Sequence, residues 1–96
     1  MSYRLSDRAA IELLELLQES IGRFGVHQAA RYRASMERAF VLLAENPRIA
    51  RGRDELVSRA RAYRHQAHMI VYREEGDGIL IIRLPHARSD WLNDPD

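Results

Sequence analysis

The sequence predicts an α+β domain: a short N-terminal strand, then an antiparallel helix hairpin packed on one face of a small antiparallel β-sheet, in the order β-α-α-β-β-β. Three observations carry this. Two apolar stripes at helical spacing follow one another with glycine between them. A glycine-bearing turn, Glu75-Gly76-Asp77-Gly78, joins two runs of strand-forming residues. The chain has 96 residues and no internal repeats, which suits one domain with one modest core, spanning residues 1–96.

Residues 2–5 alternate weakly and suit an edge strand. Ser6 is placed to cap a helix, with Asp7 favourable in its first turn. Ala10, Leu13, Leu14, Leu17, Ile21 and Phe24 then recur at helical spacing, so a helix is expected over residues 7–23, stopped at Gly25. A second stripe of Ala29, Tyr32, Met36, Ala39, Phe40 and Leu43 predicts a second helix from about residue 26, ended by Asn46-Pro47. Two such helices with so short a link form an antiparallel hairpin. An Arg-rich connection follows over residues 46–56, with Leu56 available to anchor it. Strands are expected over residues 61–66, 67–73 and 79–84.

Period-two geometry divides the last hairpin into two faces. With Gly76-Asp77 at the centre of the turn, Val71 opposes Ile82, Met69 opposes Leu84, Tyr72 opposes Ile81 and Ile70 opposes Arg83. The face of Met69, Val71, Leu80, Ile82 and Leu84 is the more uniformly apolar, and is expected to lie under the helices. The opposite face, with His68, Ile70, Tyr72, Ile81 and Arg83, is then left uncovered, and an exposed apolar patch of that kind implies a partner.

Composition narrows the function classes. All fifteen basic residues are arginine, and the net charge is +1, too low for a general nucleic-acid binder. The charge is uneven: Arg48, Arg51, Arg53, Arg59, Arg61 and Arg64 crowd one stretch against only Asp54 and Glu55. Such a stretch suits an anionic partner or a solvated loop. Tyr63 among these arginines is placed to stack on a base. With no cysteine there are no disulfides or thiolate metal sites, which is consistent with the cytoplasm. No apolar run is long enough to span a membrane, and no signal-peptide segment is evident at the N-terminus.

His86 is the first chemical candidate. A histidine at a strand end, flanked by Arg83 and Arg88, has the makings of a proton donor beside phosphate-binding cations. The same residues serve equally as a recognition surface. His65 and His68 fall on opposite faces of a strand, so neither they nor His27 form a zinc spacing, and no metal site is expected. Ser58 and Ser89 lie outside any nucleophile motif, and no phosphate-cradling glycine loop is present.

Matches along nearly the whole chain give these features a family context. They include Tyr3-Arg4-Leu5-Ser6, Phe24-Gly25 with Gln28-Ala29 and Tyr32, and Leu43-Ala44-Glu45-Asn46-Pro47. Gly52-Arg53 with Asp54-Glu55-Leu56, Arg61, His68-Met69-Ile70-Val71-Tyr72-Arg73, and Ile82-Arg83 with His86, Arg88 and Asp90 follow in order. The chain resembles the RelE/ParE superfamily of bacterial type II toxins, and its local matches favour the ParE branch. That resemblance implies a toxin neutralised by a cognate ParD-like antitoxin in a hetero-oligomer, inhibiting DNA gyrase as a binding inhibitor. No cofactor and no sequence-specific DNA binding by this chain are implied. The antitoxin surface is expected at His68, Ile70, Tyr72, Ile81, Arg83, Arg53 and Arg61, and the target surface at His86 and Arg88. The RelE branch implies instead a metal-independent mRNA endonuclease, with His86 as proton donor and Arg61 and Arg83 on the phosphate. Against that branch, no tyrosine follows Tyr72. Pro85 and Ala60 depart from the ParE pattern, and Pro85 removes a ladder donor from the end of the last strand.

Overall fold

The computed structural model describes residues 2–50 and 60–93. Its elements are β1 (Tyr3–Leu5), α1 (Asp7–Phe24), α2 (Val26–Glu45), β2 (Arg61–His65), β3 (His68–Glu75) and β4 (Gly78–Arg83). One turn of 3-10 helix follows at Trp91–Asn93. The α+β class and the element order are those read from the sequence. The sheet runs β1-β4-β3-β2, and β1 joins it parallel to β4 while the other pairs are antiparallel, so the sheet is mixed.

Local chemistry fixes the entry to the helices. The Ser6 hydroxyl accepts from the Ala9 N–H at 3.0 Å, capping α1, and donates to the Ile82 carbonyl at 2.8 Å. One side chain therefore starts the helix and ties it to β4. Gly25 separates the helices with φ near +88°, a left-handed conformation that most other residues adopt only with strain. Its N–H donates to the Ile21 carbonyl, ending α1, and its carbonyl accepts from Ala29 in the first turn of α2.

The hairpin covers the sheet face opposite to the one expected. Ile70, Tyr72 and Ile81 are fully buried in one cluster with Ala9, Leu16, Met36, Phe40 and Leu43 of the helices. The more uniformly apolar face, expected under the helices, instead carries a small second cluster. There Met69 and Val71 are covered by Ala60 and Trp91, with Ile82 and Ala87 at the margin. Of the residues expected under the helices, only Leu84, beyond the end of β4, joins the main core. The physical reason lies in the polar groups. Tyr72 crosses the core and donates its hydroxyl to the Pro47 carbonyl at 2.7 Å, and Arg83 finds a carboxylate on α1. Neither needs water, so the mixed face can be buried.

Register departs from simple alternation at one point. Tyr72 pairs with Ile81 as expected, but a bulge between Val71 and Tyr72 moves Val71 opposite Arg83 rather than Ile82. Beyond the strand, the Pro85 carbonyl accepts from Met69 at 2.9 Å, and pairing resumes as a His68–His86 bridge. Pro85 thus ends β4 without releasing the chain from β3.

The β1–β4 junction tolerates no side chain at Gly78, because a β-carbon there would collide with the Ser2 carbonyl that accepts from the Ile79 N–H. Gly78→Ala is expected to detach β1 and lower the urea midpoint, with accelerated amide exchange at Ile79 and Ile81. Ser6→Ala is expected to cost about 1–2 kcal/mol in the same unfolding measurement.

Candidate functional site

Arg83 is held in a largely buried ion pair with Glu12 of α1. Its Nη2 donates to Glu12 Oε2 at 2.7 Å, while the Leu84 N–H donates to Glu12 Oε1 at 2.8 Å. Both side chains are largely buried, at 9% and 17% exposure. Burial pushes the Glu12 carboxyl up, but the Arg83 guanidinium, the Leu84 N–H and Arg8 together outweigh it and hold it below the ordinary carboxylate range. Arg83 is therefore a structural cation, and neither the antitoxin contact nor the phosphate contact expected of it is open to it.

The other expected site residues scatter. Arg61 directs its Nη1 to the Ala50 carbonyl at 2.7 Å. Ile70, Tyr72 and Ile81 lie beneath the helices, so the exposed docking face expected of them does not exist. Arg53 lies outside the described residues. The three residues proposed for phosphodiester cleavage do not converge: His86 is exposed, Arg61 serves a backbone carbonyl, and Arg83 is enclosed by α1. Among the described residues no group of three metal-ligating side chains comes together.

What the fold does bring together is His68 and His86. Their bridge sets the rings edge to face with centroids 5.4 Å apart. They line a cleft of about 260 Å³ at the closed end of the helix hairpin, with Leu16, Glu19, Arg23 and Phe24 on its α1 side. Behind them the Tyr32 hydroxyl lies 2.8 Å from His68 Nδ1 and 3.2 Å from the His65 carbonyl. Ser35 Oγ lies 3.0 Å from His65 Nε2. Burial, then the nearby His86, holds the His68 imidazole below its usual range. Burial likewise lowers His65, aided by Arg38, and raises the Tyr32 phenol. His68 is therefore neutral at pH 7.

A second surface was misread in the sequence. The stripe expected to face the core mixes two sets of residues. Ala9 and Leu16 are buried and Leu13 and Leu17 pack at the core margin, but Ala10, Leu14, Ile21 and Phe24 face outward. With Ile11, they make an apolar band along the outer side of α1, where Ile11, Leu14 and Phe24 are 57%, 63% and 66% exposed. The signal was present: Ile11 and Leu16 extend the apolar arc of α1 past the width one covered face needs. Glu12, Glu19 and Arg23 carried no motif, Tyr32 stood out only in the α2 stripe and the family match, and only folding joins them to β3 and β4.

The strand, helix hairpin and meander, with the first strand paired parallel to the last, are built by the sequence of a ParE-type toxin of the RelE/ParE superfamily. Residues 3–91 match the family model described as the ParE toxin of the type II toxin-antitoxin system parDE. The chain belongs to the ParE toxin family. It is 35% identical over 89 residues to Toxin ParE1 of Mycobacterium tuberculosis, covering 92% of this chain and 91% of the relative. It is 33% identical over 84 residues to Toxin ParE1 of Caulobacter vibrioides, covering 88% and 86%. A solved structure described as the chromosomal ParDE TA system from P. aeruginosa shares the fold, with a TM-score of 0.75 at 19% identity over 90% of this chain and 95% of that one.

The Glu12–Arg83 pair makes stability depend on acid. Because the Glu12 carboxyl is held low in the fold, its contribution is present above the unfolded carboxylate range and lost as pH falls through the folded value. At pH 7, Glu12→Ala is expected to cost about 3 kcal/mol, since it removes a largely buried carboxylate that both the Arg83 guanidinium and the Leu84 N–H use. Glu12→Leu combined with Arg83→Met is expected to recover most of that loss. Urea unfolding from pH 7 to pH 3 should show the gap between wild type and Glu12→Ala closing in acid.

Proposed function

We propose that this ParE toxin arrests growth by inhibiting DNA gyrase in the cytoplasm, and that a cognate ParD-like antitoxin neutralises it by binding. The family assignment supports the toxin reading. The observation that carries the binding mode is the apolar band of Ile11, Leu14, Ile21 and Phe24 on α1. An amphipathic antitoxin segment with apolar anchors at helical spacing is the occupant such a band suits. Burying one of these side chains contributes roughly 1.5–3 kcal/mol before ordering costs are subtracted.

The target-facing residues are best placed at the end of β4. His86 and Arg88 are both exposed there, on a segment held by the Ala87 N–H donating to the Ala67 carbonyl at 2.8 Å. Phe24, at one end of the band, lines the same cleft as His86. An antitoxin running along α1 therefore reaches the target-facing end, which accounts for neutralisation by steric cover. Among the described residues no helix is long and apolar enough to cross a membrane.

Supercoiling assays with purified gyrase test the target. Inhibition is expected, with loss on His86→Ala combined with Arg88→Ala. Codon-specific mRNA cleavage on ribosomes, with supercoiling untouched, would contradict the reading. Leu14→Glu is expected to weaken antitoxin binding roughly a hundredfold in calorimetry while leaving the fold intact, because Leu14 makes no core contact.

A further inference from the structure

The cleft at the closed end of the hairpin holds two imidazoles that are both anchored through Nδ1. The Arg88 N–H donates to His86 Nδ1 at 3.1 Å, which leaves the neutral ring's proton on Nε2. His68 Nδ1 faces the Tyr32 hydroxyl. Among the described residues neither Nε2 has a hydrogen-bond partner.

His68 is built to accept charge, because its Nδ1 faces a hydroxyl that can donate or accept, whereas His86 Nδ1 is committed to the Arg88 N–H. With His68 neutral, the Tyr32 hydroxyl donates to Nδ1. With His68 doubly protonated, Nδ1–H donates to Tyr32, whose hydroxyl turns to the His65 carbonyl. No group of this His68–Tyr32 unit is left unsatisfied in either state, and the His68 Nε2–H donor remains free in both. The charged and titratable groups around the two imidazoles come from three elements. On α1 there are Glu19, Arg23 and, further along, Glu12; β2 supplies His65; α2 supplies Tyr32 and, toward His65, Arg38. Glu19 pairs with Arg23 at 3.3 Å on the exposed rim, and its charge, with that of Glu12, favours a proton on His68. Leu16 and Phe24 give it an apolar wall.

We infer that this cleft binds an acidic side chain of a partner peptide, whose carboxylate accepts from Nε2 of His68 and of His86 while an apolar neighbour packs on Leu16 and Phe24, and that the grip tightens as pH falls from 8 to 6. The inference rests on the reading that a partner segment runs along α1, since Phe24 belongs to both the band and the cleft. A carboxylate offers an oxygen to each Nε2–H and gains further when His68 takes up a proton, whereas an amide side chain offers one oxygen and no charge.

NMR titration of the intact toxin with acetyl-Leu-Glu-Phe-amide and acetyl-Leu-Gln-Phe-amide tests this. At pH 6 the Glu peptide is expected to bind about tenfold tighter than the Gln peptide, the increment of one charge-assisted hydrogen bond. It should also shift the ring protons of both His68 and His86 and raise the His68 titration midpoint, and its advantage should shrink by pH 8. His86→Gln, at an exposed position, should fold normally and abolish the preference. Equal binding of the two peptides, no binding of either, or shifts that avoid both rings would overturn the inference. Those outcomes leave antitoxin binding along α1 standing. Conversely, unchanged antitoxin binding by Leu14→Glu with the peptide preference intact would count against the band alone.

Discussion

The buried contact between Glu12 and Arg83 determines which side of the sheet this protein hides. An arginine on β4 can face a helix layer only if that layer carries a carboxylate at the right height, and α1 places Glu12 there. The same carboxylate accepts the Leu84 N–H, so one residue of α1 holds both a side chain and the backbone at the end of β4. Desolvating two charges is costly, and such a pair adds little net stability over an apolar equivalent. Its effect here is positional: it fixes the angle at which α1 crosses the end of the sheet.

That position determines the functional surface. The sheet's mixed face is covered by the hairpin, and Met69 and Val71 on the other face by Ala60 and Trp91, so Ile70, Tyr72 and Ile81 are not open to a partner. Apolar surface is left instead on the outside of α1, and polar chemistry is left in the cleft at its C-terminal end. Band and cleft meet at Phe24. One partner segment can therefore engage both, with apolar anchors along the helix and an acidic residue at the end. His86 belongs to the cleft and also to the exposed end of β4, so in the proposed binding mode antitoxin and target compete for it.

The elements were legible in the sequence because their signals are local. Ser6, Gly25 and Asn46-Pro47 mark helix ends by chemistry that needs no tertiary context, and Gly76 with Gly78 marks the hairpin turn. The sheet faces were not legible. Choosing between them by apolar count treated Tyr72 and Arg83 as residues that seek water, but each has a partner supplied by a distant segment, Pro47 and Glu12. A one-residue bulge at Val71 compounded the error by breaking the alternation. The His68–His86 pair was half legible: both residues were singled out, but on different surfaces. Only the bridge beyond Pro85 makes them neighbours.

The central claim is that α1's outer band, not the sheet, receives the antitoxin. Hydroxyl-radical footprinting of the free toxin and of the toxin–antitoxin complex reads it most directly. The account predicts that Leu14, Ile21 and Phe24 are labelled in the free protein and protected in the complex, while Tyr72 and Ile70 resist labelling in both. Strong labelling of Tyr72 or Ile70 in the free toxin, lost on antitoxin binding with Phe24 unchanged, would contradict it.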